Sequence, residues 1–388
     1  MRIRGVRAFW LHVPIPEARQ HTSDFGRART FDTVLVRIDT EDGLTGWGEA
    51  KSAVGSDSAN QSLVTMVEKE LAPLLVGQDS REIGRLWEVM YSGSRAHYAL
   101  ARGHVYPVLG RRGLRISAIS GIDTALWDIQ GKRLNAPIHQ LLGGRLRAEM
   151  PAYASGGWAP KEAIGEELLS YVARGGFRAV KMRVGAQDRE VPVSAQRVAA
   201  ARAALGPDID LMCDAHGTLT TAEAKRFCRM VAECNLAWFE EPVASDDRRG
   251  LAEVRRGTDV PIAAGESEFT RFDFLELAEL RAVDIFQPDL AICGGISEAQ
   301  RIAALAAAYQ IRLAPHLWGG AVMFMAGLHV AAAAPAGFIL EYSLGANPLL
   351  HELTAEKPQV ADGKIAIPDR PGLGLTIDEG FVSRYAVG

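Results

Sequence analysis

The sequence is short of the features that mark several protein classes. It has four cysteines in 388 residues (Cys213, Cys228, Cys234 and Cys293), with neither metal-ligand spacing nor the density of a disulfide scaffold. Reduced thiols, and with them a cytoplasmic location, are expected. Neither sign of charge dominates: 43 Lys and Arg face 47 Asp and Glu. No basic footprint exists for nucleic acid, so no nucleic-acid partner is expected. The basic start, Met1 to Trp10, lacks a secretory apolar run, because Arg7 and later His12 interrupt it. Only Gly319–Leu340 is uncharged over a bilayer-spanning length, and Pro335, Gly337 and His329 break it. A buried helix running into a strand is expected there, and no membrane association.

What the chain has is a periodic set of carboxylates. Asp214, Glu240 and Glu266 close three successive strand-like segments, each 26 positions from the next. That interval fits one strand, one helix and two short loops of an α/β barrel, whose strand ends open onto one face. Three carboxylates meeting there repel unless a cation holds them, and hard oxygen ligands favour Mg2+ over zinc.

Short apolar runs alternate with amphipathic segments after Leu141-Leu-Gly-Gly, around Tyr153, Val180, Met212, Phe239, Ala263, Ile285, Arg312 and Ile339. Eight such units predict an α/β fold, a (β/α)8-type barrel of (β/α)7β form over 131–345. Thr220-x-x-Glu223 has the capping-box pattern for one of its helices. Residues 1–130 do not alternate in this way. Val34, Val36 and Ile38 with the Asp42-Gly43 turn predict a hairpin. Helices are predicted through Leu86, Trp87 and Met90 and from Ser117 to Lys132, with 97–115 irregular and basic. This part reads as an α+β capping domain, joined by a C-terminal segment, 346–388, that returns to it.

The remaining strand ends also carry chemistry. Lys181 and Arg183 share a side by two-residue alternation, as do Asp214 and His216. Asp289 and His316 lie 27 positions apart on neighbouring strands, where they could pair, and Glu341 ends the eighth. Singly, each could be a helix cap or a satisfied core group. Charged residues seldom collect in a barrel mouth for stability.

The chain resembles the enolase superfamily, in its mandelate racemase subgroup, over nearly its whole length. The resemblance rests on Ser120-Gly-Ile-Asp-Thr-Ala-Leu-Trp-Asp-Ile-Gln-Gly-Lys, Lys181-x-Arg183, Trp238-Phe-Glu-Glu-Pro, Gly265-Glu266, Gln287-Pro-Asp289, Gly294-Gly-Ile-Ser, Pro315-His316 and Pro371-Gly-Leu-Gly. It implies that Asp214, Glu240 and Glu266 bind Mg2+, with Glu241 left to an ion-pair or supporting role. His316 would be the base, with Asp289 fixing its tautomer, and Glu341 would donate or share a hydrogen bond to the substrate carboxylate, donation requiring the protonated form that a site crowded with carboxylates favours.

Two departures bear on subclass. Racemases of the subgroup have a second Lys where this chain has Arg183, which stays charged and is a poor base, suited to substrate binding. Asp-x-His216 is similar to the galactonate and mannonate dehydratases, in which that His assists departure of the β-hydroxyl. A Mg2+-dependent acid-sugar dehydratase giving a 2-keto-3-deoxy acid is therefore expected. An epimerase or lactone cycloisomerase is the alternative, since Ala314-Pro-His-Leu-Trp-Gly also resembles galactarolactone cycloisomerases. A non-catalytic metal-binding barrel is the remote one. The donor-rich loop with Arg19, His21, Arg27 and Arg29, and Trp318 beside the base, would face a small sugar acid, mono- or diacid. Relatives are commonly dimers or octamers, so a homo-oligomer is expected.

Overall fold

The computed structural model describes residues 1–23, 26–52, 59–103 and 112–387. Its first layer is an antiparallel sheet. Ile3–Pro14 pairs with Thr30–Thr40, and that strand pairs with Thr45–Ala50 across the expected Asp42-Gly43 turn. Ala386–Val387 adds to the outer edge of the first strand, so the chain's end closes the sheet its beginning opened.

The long helix Leu114–Leu134 lies on this sheet with little room to spare. A Cβ at Gly48 would sit 1.8 Å from the Gly121 carbonyl oxygen, and one at Gly46 2.1 Å from that of Ala125. Those glycines let helix and strand backbones touch. Ile83–Ser92 is helical as expected. The reading of 97–115 as irregular needs correction: Ala96–Arg102 is helical and Arg115 is inside the long helix, its guanidinium donating to the Met90 carbonyl. Arg111 lies outside the described residues.

The second layer is the barrel. Its eight strands are Glu149–Ser155, Ala179–Arg183, Asp210–Asp214, Leu236–Glu240, Ile262–Ala264, Ile285–Phe286, Arg312–Leu313 and Leu340–Ser343. The first seven pair in parallel in sequence order. The eighth pairs with the first, and a bridge from Leu313 to Gly337 closes the ring. The Thr220–Glu223 capping box is formed. The uncharged Ala321–Ala333 is a buried barrel helix, and no helix among the described residues is long and apolar enough to cross a membrane. The tail does one thing the sequence did not suggest: Lys364–Ala366 pairs antiparallel with the first barrel strand.

The barrel's interior explains its mouth. Tyr153, Ala179, Met212, Trp238, Ala263, Ile285, Ala314 and Ile339, one from each strand or its edge, pack together as a buried plug. Side chains two residues further along a strand share that inward side. Those positions are Ser155, Lys181, Asp214, Glu240, Gln287, His316 and Glu341. The fifth strand departs, because Gly265 at φ +138° inserts a turn and Glu266 takes the place two steps would have given.

Candidate active site

Nine of the predicted residues converge on this mouth. Lys181 is fully buried, with Nζ 3.3 Å from Asp214 Oδ2 and 3.2 Å from Glu341 Oε1, and it also contacts Glu240 Oε1. Burial alone would favour the neutral amine. The Glu240 and Glu341 carboxylates outweigh it and raise the lysine's pKa, so the group is an ammonium here. Arg183 contacts Asp214 and lies 5.7 Å over the Trp318 ring.

Two histidines reach the acidic cluster from strands that face each other across the ring, the third and the seventh. His216 has a left-handed backbone, φ +43°, which costs energy in a non-glycine residue and turns its ring back on the strand. Its amide donates to Asp214 Oδ1 at 3.0 Å, and its Nε2 is 3.4 Å from Asp214 Oδ2. On the far side, His316 Nδ1 is 2.9 Å from Asp289 Oδ2 and Nε2 is 3.5 Å from Glu266 Oε2. Burial would lower the pKa of His316, but Glu266, Glu341 and Asp289 together raise it. Burial would raise that of Asp289, yet Lys51 and His316 hold it below the ordinary carboxylate range.

The donor set suits a hard cation. Asp214, His216 and Glu266 offer ligand atoms within 4.8 Å of one another, and buried Glu266 Oε2 accepts no hydrogen bond. The third expected carboxylate, Glu240, stands at the same mouth. Its oxygens take Lys181, the Trp238 indole at 2.9 Å and the Gln287 amide at 2.6 Å.

Three expectations need correction. The charges around Glu341 run against the protonated donor expected of it. Burial favours the acid, but Lys181, His316 and Arg183 pull its pKa down, and it accepts from the Leu317 amide at 2.9 Å. Of the two roles expected for Glu241, the ion pair is not formed: no Lys or Arg pairs with it among the described residues. Burial and the charges of Glu266, Glu240 and Glu268 instead push its pKa well up. Of the four loop donors, only His21 reaches the site, its ring 4.4 Å from Trp158 and 6.3 Å from Trp318. Arg19, Arg27 and Arg29 are exposed, and Arg27 donates to Gln20. Asp24 and Phe25 of that loop lie outside the described residues.

Sequence reasoning passed over three residues at the mouth. Gln287 stands two before Asp289, so the alternation that paired Lys181 with Arg183 could have found it. Trp158 follows the first strand and forms an edge contact with Trp318, 5.9 Å between rings. Lys51 belongs to the cap, and nothing local in the sequence pointed to it.

A closed barrel under an α+β cap, with an acidic mouth flanked by a lysine and two histidines, defines an enolase-type protein. The chain belongs to the mandelate racemase/muconate lactonizing enzyme family of that superfamily. Residues 6–143 match the family's N-terminal domain and 163–381 match the enolase C-terminal domain-like model. It is 35% identical to the D-galactarolactone cycloisomerase of Agrobacterium fabrum, over 99% of each chain. It is 36% identical to the arabinonate dehydratase of Saccharolobus solfataricus, over 91% of this chain and 90% of that one. A racemase from Streptomyces coelicolor, solved with bound magnesium, superposes with a TM-score of 0.86 at 32% identity, covering 99% of this chain and all of that one.

Proposed function

We propose that the protein is a Mg2+-dependent acid-sugar dehydratase. The observation that carries this reading is the pair of histidines, His216 and His316, on opposite strands, each against a carboxylate of one acidic cluster. Syn or anti, elimination of water needs a base for the α-proton and an acid for the β-hydroxyl.

Asp214, Glu240 and Glu266 would hold Mg2+, which when bound supplies Lewis-acid stabilisation of the charge developing on the substrate carboxylate. Asp289 can only accept when ionised, so it keeps the proton of His316 on Nδ1 and leaves Nε2 to take the α-proton. His216 gives a proton to the β-hydroxyl, which leaves as water. The enol left behind tautomerises to a 2-keto-3-deoxy acid. Lys181 and Arg183, both cationic, face the substrate carboxylate and hydroxyls, and ionised Glu341 fixes the Leu317 amide beside the base. His21, Trp158 and Trp318 line the outer wall. Support for a dehydratase comes also from the arabinonate dehydratase relative.

A second reading, lactone cycloisomerisation through the same enediolate, draws on the D-galactarolactone cycloisomerase relative and on an aromatic wall suited to a ring. Racemisation is disfavoured because Arg183 stands where a second base would be needed.

Proton NMR in D2O with Mg2+, across mono- and diacid sugars and their lactones, tests the reading. Methylene signals of a 3-deoxy-2-keto acid, abolished by EDTA, are expected. Lactone opening or α-proton exchange without them would move the assignment to the isomerases.

A further inference from the structure

The cap enters the barrel through one buried side chain. Lys51 follows the last residue of the cap's third strand, and it is 3% exposed. Its amide donates to the Ala291 carbonyl at 3.3 Å. Its Nζ donates to Asp289 Oδ2 at 3.1 Å and to the Trp318 carbonyl at 2.7 Å. Asp289 Oδ2 is the same oxygen that faces His316 Nδ1, while Oδ1 accepts from the Ala291 amide at 2.8 Å. Swinging the Asp289 carboxylate away from His316 would therefore also leave a buried ammonium without its ion partner, which is strongly unfavourable.

Two residues earlier, Glu49 works on the same stretch of barrel. It is 1% exposed and accepts from the Gly320 amide at 2.7 Å and the Met323 amide at 2.9 Å. The turn Leu317–Gly320, which begins directly after His316, is thus held by the cap at a carbonyl through Lys51 and at an amide through Glu49. A lysine that served only to seat the cap could use any acceptor along the seam. This one divides its bonds between the oxygen that orients His316 and the backbone of Trp318, the wall over Arg183.

We propose that Lys51 is a positioning residue for the reaction, a cap-borne cation that sets the Asp289–His316 pair and the Trp318 wall only when the cap is docked. This rests on His316 being the base. Misplacing a reacting group by about 1 Å can cost ~100-fold in rate.

The test compares Lys51→Met and Lys51→Arg with the unaltered protein. Steady-state kinetics use the sugar acid whose α-proton exchanges in the D2O screen, and nitrogen-15 NMR of histidine-labelled protein at one pH reads the ring without substrate. Lys51→Met is expected to lower kcat ~50-fold with KM within ~3-fold, and to turn a single Nδ1–H tautomer of His316 into a mixture. Lys51→Arg should recover most of kcat. Unchanged kcat and an unchanged ring signal in Lys51→Met would overturn the proposal, as would kcat and KM failing together without rescue by Arg. Should Lys51→Met not fold, Lys51→Gln removes the charge while keeping a donor for the Trp318 carbonyl. His316→Asn identifies the ring signal and separates the two claims. If that variant still exchanges the α-proton, the base assignment fails. If it does not, and Lys51→Met behaves as the unaltered protein, only the role of Lys51 fails.

Discussion

Asp289 and His316 come from adjacent barrel strands and meet at 2.9 Å, both almost wholly buried. A neutral imidazole so held presents Nε2 toward the acidic cluster. Replacing His316 with Asn should abolish exchange of the substrate α-proton in D2O, a loss of ~1,000-fold or more, because a positioned base contributes ~100- to 10,000-fold. Asp289→Asn leaves the ring in place but frees its tautomer, and a smaller loss of ~10- to 100-fold is expected. Equal rates for Asp289→Asn and the unaltered protein would show that the carboxylate does not orient the base.

His216 separates elimination from proton abstraction. If it delivers the proton to the departing hydroxyl, His216→Asn should keep α-proton exchange while 2-keto acid formation falls at least ~100-fold. The two rates can be read in one NMR time course. Should both fall in step, His216 acts in binding; should neither fall, it has no part in the reaction.

Metal dependence has a readout that needs no substrate. Mg2+ should raise the thermal midpoint of the protein, since a ligand bound only by the folded state stabilises it by about 2.7 kcal/mol at 100 times its Kd. Glu266→Gln removes a carboxylate with an unbonded buried oxygen and should abolish that rise. A Mg2+-induced rise that persists in Glu266→Gln would place the ion elsewhere.

The barrel and most of the mouth were legible because one rule wrote both. On nearly every strand an apolar plug residue is followed two positions later by a polar one, as in Met212–Asp214, Trp238–Glu240 and Ile339–Glu341. Apolar runs locate such strands, and alternation then says which polar residues share the mouth. Glu266 escapes the rule through a single glycine. Ionisation was less legible. The mouth looked crowded with carboxylates, which suggested a protonated Glu341, but Lys181, Arg183 and His316 reverse that balance, and their distances depend on the closed ring. Long-range seams were not legible at all. Lys51 and Asp289 are 238 positions apart, and no local pattern marks a cap lysine that will be buried in another domain.

Another seam joins the helix Ile138–Leu141, the barrel helix Ala321–Ala333 and the tail, and it titrates. His139 and His329 are buried with their Nδ1 atoms 3.2 Å apart, and His329 Nε2 is 3.3 Å from the Leu373 carbonyl. That carbonyl can only accept, so His329 carries its proton on Nε2 and offers Nδ1 as an acceptor. Burial, then the nearby His139, pushes the pKa of His329 down to about 3; burial and Arg145 lower that of His139, which Asp369 partly offsets. The folded pKa thus lies below the unfolded value of about 6.5, so between about 3 and 6.5 the unfolded chain binds the extra proton. The stabilisation is whole above about pH 6.5 and is lost progressively as pH falls toward 3, to a total on the order of 5 kcal/mol for His329. Thermal midpoints measured from pH 7.5 to 4 should therefore fall steeply in the unaltered protein. His329→Asn, which cannot titrate, should start lower at pH 7.5 and decline less steeply. Parallel curves for the two proteins would show that this pair does not govern the acid limb.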